Sequence, residues 1–128
     1  MSMKEFCNTI RLFLLQDVQS FRENTMTMKP GRSSTILQVD DFTVTPKSET
    51  SEAGLLYNIE EDITIDKVGS SIASTYKIQR SSILQLETYP GHEPVFIGSM
   101  EWPALVSITT HLNKDTLHIK SKMIQSPI

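Results

Sequence analysis

The first quarter of the chain carries apolar residues at the spacing of an α-helix. Ser2 and Glu5 fit a capping box, in which the serine hydroxyl and the glutamate carboxylate bond free backbone N–H groups. Lys29-Pro30-Gly31 is a firm break further along the chain. We therefore predict an amphipathic helix over about residues 3–24. Its apolar positions recur every three or four residues and are Phe6, Ile10, Phe13, Leu14, Val18 and Phe21.

From about residue 35 the apolar period falls to two, and β-branched and aromatic residues become frequent, as in β-strands. The apolar residues from Leu55 to Ile65 keep one parity, but Glu60-Glu61-Asp62 interrupts them and predicts a turn or an exposed edge. Residues 46–54 are polar and lack large apolar side chains, so we predict a mobile loop there. About six or seven strands, mostly antiparallel, are predicted over residues 35–124.

The last two strand candidates form a hairpin whose register follows from parity. Apolar residues occupy even positions up to Leu112 and odd positions from Leu117 onward. A four-residue loop over residues 113–116 brings both sets to one face of the hairpin. The same register places His111 opposite His118.

Together these elements predict an α+β fold, with one N-terminal helix packed on a curved sheet or a small barrel. The chain of 128 residues has the size of one domain and can bury a core without disulfides or metal. Its one cysteine, Cys7, cannot form an intrachain disulfide. We predict an intracellular protein, cytoplasmic or nuclear, with no membrane span.

The charges are unevenly distributed along the chain. The net charge is −3, whereas dedicated nucleic-acid-binding proteins carry a basic excess. Eight acidic residues and one basic residue lie between Asp40 and Asp66, and basic residues outnumber acidic ones from Lys67 onward. Such asymmetry is typical either of a solvated acidic region or of a surface that orients self-association or steers a partner.

One pattern, T-x-K-x-x-R-S-S-(T)-I-L-Q, occurs twice, at residues 27–38 and 75–85. The simplest interpretation is two polar entries into strands that obey the same local requirements. A remnant of a duplication is a second interpretation. A third is a shared anion site, in which Arg32, Arg80 and the neighbouring hydroxyls bind phosphate.

Recognised catalytic motifs are missing from the sequence, so we predict that the protein is not an enzyme and uses no cofactor. A metal-dependent enzyme that acts through Glu60, Glu61 or His111 is the least favoured alternative. Cys7 is interpreted as a core or interface thiol.

The leading functional prediction is a binding or assembly protein that forms a homo-oligomer or binds another protein. The composition of the chain suggests a viral structural or accessory protein that is located inside the host cell. The alternative is binding of nucleic acid or anionic headgroups through Arg32, Arg80 and the basic C-terminal hairpin. The candidate contact residues are Phe13, Val18, Phe21, Arg32, Arg80, Trp102, Lys114, Lys120 and Lys122.

Overall fold

The chain folds mainly into β-strands. The computed structural model describes residues 4–5, 9–23, 25–39, 43–44, 47–51, 54–87 and 95–123. Within these ranges the helical elements are a 3₁₀ helix, Leu15–Asp17, and α1, Ser70–Thr75. The strands are β1 (Lys4–Glu5), β2 (Thr9–Leu14), β3 (Val18–Arg22), β4 (Thr25–Met28), β5 (Thr35–Gln38), β6 (Thr43–Val44), β7 (Lys47–Ser51), β8 (Gly54–Ile65), β9 (Arg80–Glu87), β10 (Val95–Ile97), β11 (Ala104–Thr110) and β12 (Asp115–Met123).

Seven strands form one antiparallel sheet in the order β5-β2-β9-β11-β12-β8-β7, and β10 joins it by pairing with β9. Two smaller antiparallel pairs are β3 with β4 and β1 with β6. The prediction of a mostly antiparallel sheet is therefore confirmed. The strand order is not the chain order, since β2 from near the N-terminus lies between β5 and β9.

The sheet is strongly curved. In a flat sheet, five spacings of about 4.8 Å would place β5 about 24 Å from β8. Here Val39, just after β5, forms a bridge with Ile65 of β8, and the Asp66 N–H donates to the Gln38 carbonyl at 2.9 Å. The sheet is nevertheless not closed as a barrel, so that predicted alternative is wrong.

The curved sheet encloses the main apolar core. Inward side chains from β2, β5 and β8 to β12 form one cluster, in which Ile10, Leu84 and Leu117 are fully buried. Tyr76, at the end of α1, belongs to the same cluster, and Ile72 packs against it. The short helix therefore packs on this core.

The N-terminal segment is not a helix, and the α+β class predicted from it is wrong. It forms β2, the 3₁₀ helix and β3. In β2, Ile10 and Leu12 face the main core, while Phe13 faces the opposite side of the sheet. A strand that is apolar on both faces has the composition of a buried helix, and periodicity alone does not separate the two. Phe6 and Cys7 lie outside the described residues.

The β3–β4 hairpin covers part of the sheet's outer face, which is the face that carries Phe13, Ile83, Leu105 and His118. Val18 of β3 and the two methionines of β4 pack with Phe13 and Ile83 in a second apolar cluster. Phe21 contacts Phe96 of β10, with ring centroids 4.8 Å apart. The covered part overlies β2, β9 and β10.

Two predicted irregular segments are strands. The stretch 46–54, predicted as a mobile loop, contains β7, whose residues pair with the first five residues of β8 at the edge of the sheet. Polar side chains suit such an edge position. β8 is 12 residues long and continues through Glu60, Glu61 and Asp62, so the predicted turn there is also wrong.

The β11–β12 hairpin has a four-residue loop, as predicted, but the loop comprises residues 111–114 instead of 113–116. Even positions of β11 still pair with odd positions of β12, so the apolar side chains share one face. The predicted opposition of His111 and His118 is wrong, because His118 lies opposite Ser107.

Trp102, the only tryptophan of the sequence, lies where one strand of the sheet is interrupted. β10 pairs with residues 84–86 of β9 and β11 with residues 80–82, so the two are parts of one interrupted strand. Between them the chain leaves the sheet through Gly98, whose φ is 95°. The Ser99 N–H donates to the Trp102 carbonyl at 3.1 Å and closes a turn, on which Trp102 is 43% exposed.

We expect Gly98→Ala to destabilise the protein by about 2–4 kcal/mol, because the positive φ and a close contact add. A Cβ at this position would lie 2.9 Å from the Ala104 nitrogen and 3.1 Å from the Ser82 carbonyl oxygen, both of which are backbone atoms. Urea unfolding measures the effect. Gly69→Ala is the matched control, since Gly69 has a φ of −67° and open space around it. Equal stability of the two variants would contradict the close approach.

Candidate functional site

The part of the outer face over β8, β11 and β12 carries an open cleft of about 420 Å³. The β3–β4 hairpin packs on the other part of this face, through Phe13, Ile83 and Phe96. Side chains that line the cleft include Glu60, Asp62, Gln79, Leu105, His118 and Lys120. Leu105 supplies exposed apolar surface, with 38% of the residue accessible.

A Glu–Lys ion pair and a hydrogen-bonded Asp–His pair join β8 and β12 in register along the cleft. Glu60 of β8 is the direct neighbour of Lys120 of β12, and their charged atoms are 3.7 Å apart. Asp62 is the direct neighbour of His118, whose Nδ1 lies 2.6 Å from Asp62 Oδ1. We call the outward side chains of β8 the acidic row, Glu60 and Asp62, and those of β12 the basic row, His118, Lys120 and Lys122.

The two rows extend beyond the strands. Lys114, in the hairpin loop, lies 2.5 Å from Asp66, which follows β8. The acidic segment and the basic segment seen in the sequence therefore meet within one chain. Each of Lys114 and Lys120 lies beside a carboxylate, and Lys122 has a partner as well.

His118 is held on both sides. Its Nε2 lies 2.8 Å from Thr109 Oγ1 of β11, and its Nδ1 contacts Asp62. A carboxylate, an imidazole and a hydroxyl in line are the parts of a general-base system. Asp62 is 74% exposed, however, and such systems act where water is excluded and the developing charge is stabilised. We interpret the line as a hydrogen-bonded network that orders the basic row.

Asp115 is the most constrained charged residue of the region. Its carboxylate is fully buried and accepts hydrogen bonds from Lys67 Nζ at 2.8 Å, the Val68 N–H at 2.9 Å and the His111 N–H at 3.2 Å. Lys67 also donates to the His111 carbonyl. These bonds hold Asp115 in β12 and explain why the hairpin loop lies two residues earlier than predicted.

The same contacts shift the titration of Asp115. The hydrogen bond from Lys67 lowers the pKa of this carboxyl from its ordinary value of 3.8, against the raising effect of burial. The backbone N–H groups of Val68 and His111 lower the pKa further. Asp115 is therefore ionised in the folded protein at neutral pH.

The apolar contact candidates lie inside the chain's own second cluster. Phe13 is 6% exposed and Val18 is 3% exposed, and Phe21 packs on Phe96. The stripe that they were predicted to present on a helix does not exist. Trp102, in contrast, is exposed on its turn, three residues before Leu105 of the cleft.

The two arginine candidates make contacts within the chain. Arg32 precedes β5, and its Nε lies 3.6 Å from Asp17 Oδ1. Arg80 is the first residue of β9, and its Nε donates to the Thr75 carbonyl at 2.9 Å. Both copies of the repeated pattern thus lead into a strand. Arg80 is itself the first residue of β9, whereas Arg32 lies three residues before the start of β5.

The residues of the metal hypothesis are separated. Glu60 and Glu61 lie in the middle of β8, whereas His111 lies in the hairpin loop beside Lys67. No group of three or more His, Cys, Asp or Glu side chains that could hold a metal ion occurs among the residues that the structure describes.

Sequence reasoning missed Gln79 and Leu105 of the cleft and the Lys67–Asp115 pair, and it named Asp62 only as part of the acidic run 60–62. The partnership of Asp62 with His118 spans 56 residues and follows only from the pairing of β8 with β12. The signal that was present is the single apolar parity of β8, which indicates one long strand.

Comparison with known proteins assigns no family, because no protein-family model, no curated protein and no solved structure matches the chain. Within the described ranges, none of the helices has the length and hydropathy needed to cross a membrane. The predicted intracellular location and viral source remain predictions from sequence.

We expect Asp115→Asn to cost roughly 2 kcal/mol of stability at pH 7, since it weakens three hydrogen bonds to a buried carboxylate. Asp66→Asn is the control and should cost under about 0.5 kcal/mol, because Asp66 and Lys114 are both at least half exposed.

At acid pH the free energies of unfolding of the wild type and of Asp115→Asn should become more similar. The pKa of Asp115 is lower in the folded than in the unfolded protein, so its stabilising effect is complete above the unfolded value of 3.8. That effect is lost as the pH falls through the folded value. Urea midpoints from pH 7 to acid measure this, and a constant difference across the range would contradict the assignment.

Proposed function

We propose that the protein is a non-enzymatic binding protein that self-associates through the uncovered part of its outer face. The observation that supports this most is the parallel arrangement of an acidic row and a basic row along one open cleft. A face that carries both signs in separate rows is complementary to a second copy of itself.

The geometry of the rows selects one arrangement of two copies. A twofold axis parallel to the strands, midway between β8 and β12, sets the basic row of each copy over the acidic row of the other. Because Glu60 and Lys120 are direct neighbours, Lys120 of one copy then lies over Glu60 of the other. A twofold axis in the same plane but perpendicular to the strands would place the acidic row of each copy over the acidic row of the other. The repulsion between these like charges costs free energy.

The affinity should be modest and dependent on salt. The side chains of Lys120 and Glu60 are 60% and 61% exposed, so they already interact with water and each other. Leu105 adds apolar area to the cleft, and Trp102 is exposed near it in the chain. Interfaces of this polar kind gain specificity and association rate from charge more than they gain strength.

The same contacts weaken the alternative of nucleic-acid or headgroup binding. Lys114 and Lys120 face carboxylates, and Arg32 lies beside Asp17. A phosphate backbone would therefore meet an almost neutral surface rather than a basic one.

Light scattering tests the proposal. In about 20 mM salt we expect a mass of twice 14.5 kDa, and in about 500 mM salt a mass close to the single chain. Lys120→Glu and Glu60→Lys should each abolish the dimer, because each places like charges together. The double exchange should restore it.

Lys77→Glu is the control for net charge, since Lys77 is exposed and lies outside both rows. Circular dichroism verifies that each variant is folded. A monomer at both salt concentrations would end the proposal. Loss of the dimer in Lys77→Glu to the same extent would attribute the effect to net charge and would also reject the proposed face.

A further inference from the structure

The two copies of the repeated pattern meet at one end of the sheet. Their strands, β5 and β9, pair with opposite edges of β2, and both pairings are antiparallel. β5 and β9 therefore run in the same direction, and the residues that precede them arrive at the same end of β2. This convergence depends on the strand order and is independent of the outer face.

The segments line a cavity of about 150 Å³. Its apolar walls are Leu12 and Leu14 of β2 and Ile72 of α1. The cavity shares no lining residue with the cleft over β8 and β12, so it is a separate site. Its hydroxyl groups come from both copies and from α1: Ser33, Thr35, Ser71, Thr75 and Tyr76.

The charged groups at the cavity already have partners of opposite charge or backbone acceptors. Asp17 is the one carboxylate among the described lining residues, and its side chain is 17% exposed. Arg32 lies 3.6 Å from it, while Arg80 donates to the Thr75 carbonyl. A bound anion would have to approach the Asp17 carboxylate, and the two like charges would repel each other.

Tyr76 contributes a protonated hydroxyl. The residue is 3% exposed, and burial raises the pKa of its phenol. A hydrogen bond with the Ser82 side chain lowers this pKa and the charge of Asp17 raises it, both by less than burial does. The phenol is therefore protonated at neutral pH, with the Ser82 side chain as one hydrogen-bond partner.

We infer that this cavity binds a small neutral polyol, of a size up to a monosaccharide. Five hydroxyl-bearing residues, one acceptor carboxylate and an apolar wall complement a ligand with several hydroxyls on a carbon chain. Two of these hydroxyls already have partners within the chain, since Thr75 donates to the Ser71 carbonyl and Tyr76 is hydrogen-bonded with Ser82. The volume equals that of about five water molecules at about 30 Å³ each, which suits a molecule of this size.

Amide chemical-shift titration by NMR tests the inference, with meso-erythritol and glucose as probes and inorganic phosphate as the anionic comparison. We expect saturable shifts at Ser33, Thr35, Ser71 and Thr75, with a dissociation constant of about 1–10 mM for at least one polyol. Polyols also act on the whole surface by exclusion, so only local, saturating shifts count.

Variants locate the site. Thr35→Val removes one lining hydroxyl at nearly constant shape and should weaken binding about tenfold. Ser33→Ala does the same from an exposed position that cannot affect folding strongly. Thr64→Val, on the outward side of β8, is the matched control and should leave binding unchanged.

Each outcome decides the question. Local saturation by a polyol that Thr35→Val or Ser33→Ala weakens, and Thr64→Val does not, establishes the site. Saturation by phosphate alone makes it an anion site and overturns the inference. Absence of saturation with every probe, or equal effects of all three variants, overturns it as well.

Discussion

The pairing of β8 with β12 determines where most of the remaining structure lies. Nine residues of each strand are in register, and the acidic and basic rows face each other along it. A slip by one residue would turn the apolar side chains of β8 to the outer face. A slip by two would preserve the apolar face but would place Asp62 opposite Thr116 or Lys120 instead of His118. The charges thus disfavour the slip towards Thr116, whereas the slip towards Lys120 would still set Asp62 opposite Lys120 and Glu60 opposite Lys122.

Asp115 connects this pairing to the end of the sheet where α1 packs. Its carboxylate binds Lys67 and Val68, which lead from β8 towards the helix, and it also binds the first residue of the hairpin loop. The Ile108 N–H then donates to the Tyr76 carbonyl at 2.8 Å, just after the helix. Through these contacts β11, β12 and the segment that precedes the small cavity are held as one unit. The cleft and the cavity have no lining residue in common, but the contacts of Asp115 help to position the strands and the helix that form both.

The sequence predicted the features that depend on short-range pattern. The single parity from Leu55 to Ile65 and the alternation in β11 and β12 indicated strands, and the length of the hairpin loop followed from parity. The prediction of an N-terminal helix was wrong because β2 is covered on both faces, by the main core and by the β3–β4 hairpin. Its apolar residues therefore lack the alternation that identifies a half-buried strand.

The candidate sites were less predictable because they join distant residues. Lys114, Lys120, Arg32 and Arg80 were named individually, but their acidic neighbours follow only from the strand order. Nothing local marks Asp115 as buried, since a loop position would suit an aspartate equally well. The meeting of the two repeated segments requires knowing that β2 lies between β5 and β9.

The position of β2 between β5 and β9 has a consequence for synthesis of the protein. Arg11 of β2 and Glu87 of β9 form an ion pair across 76 residues of chain. A ribosome adds roughly 5–20 residues per second, so β2 waits about 4–15 seconds for β9 to be made. During that time Leu12, Phe13 and Leu14 lack the neighbouring strand β9 and the core residues that β9 contributes. Until the sheet can assemble, the β3–β4 hairpin, which follows β2 in the chain and packs on Phe13, is the element that can cover one face of β2.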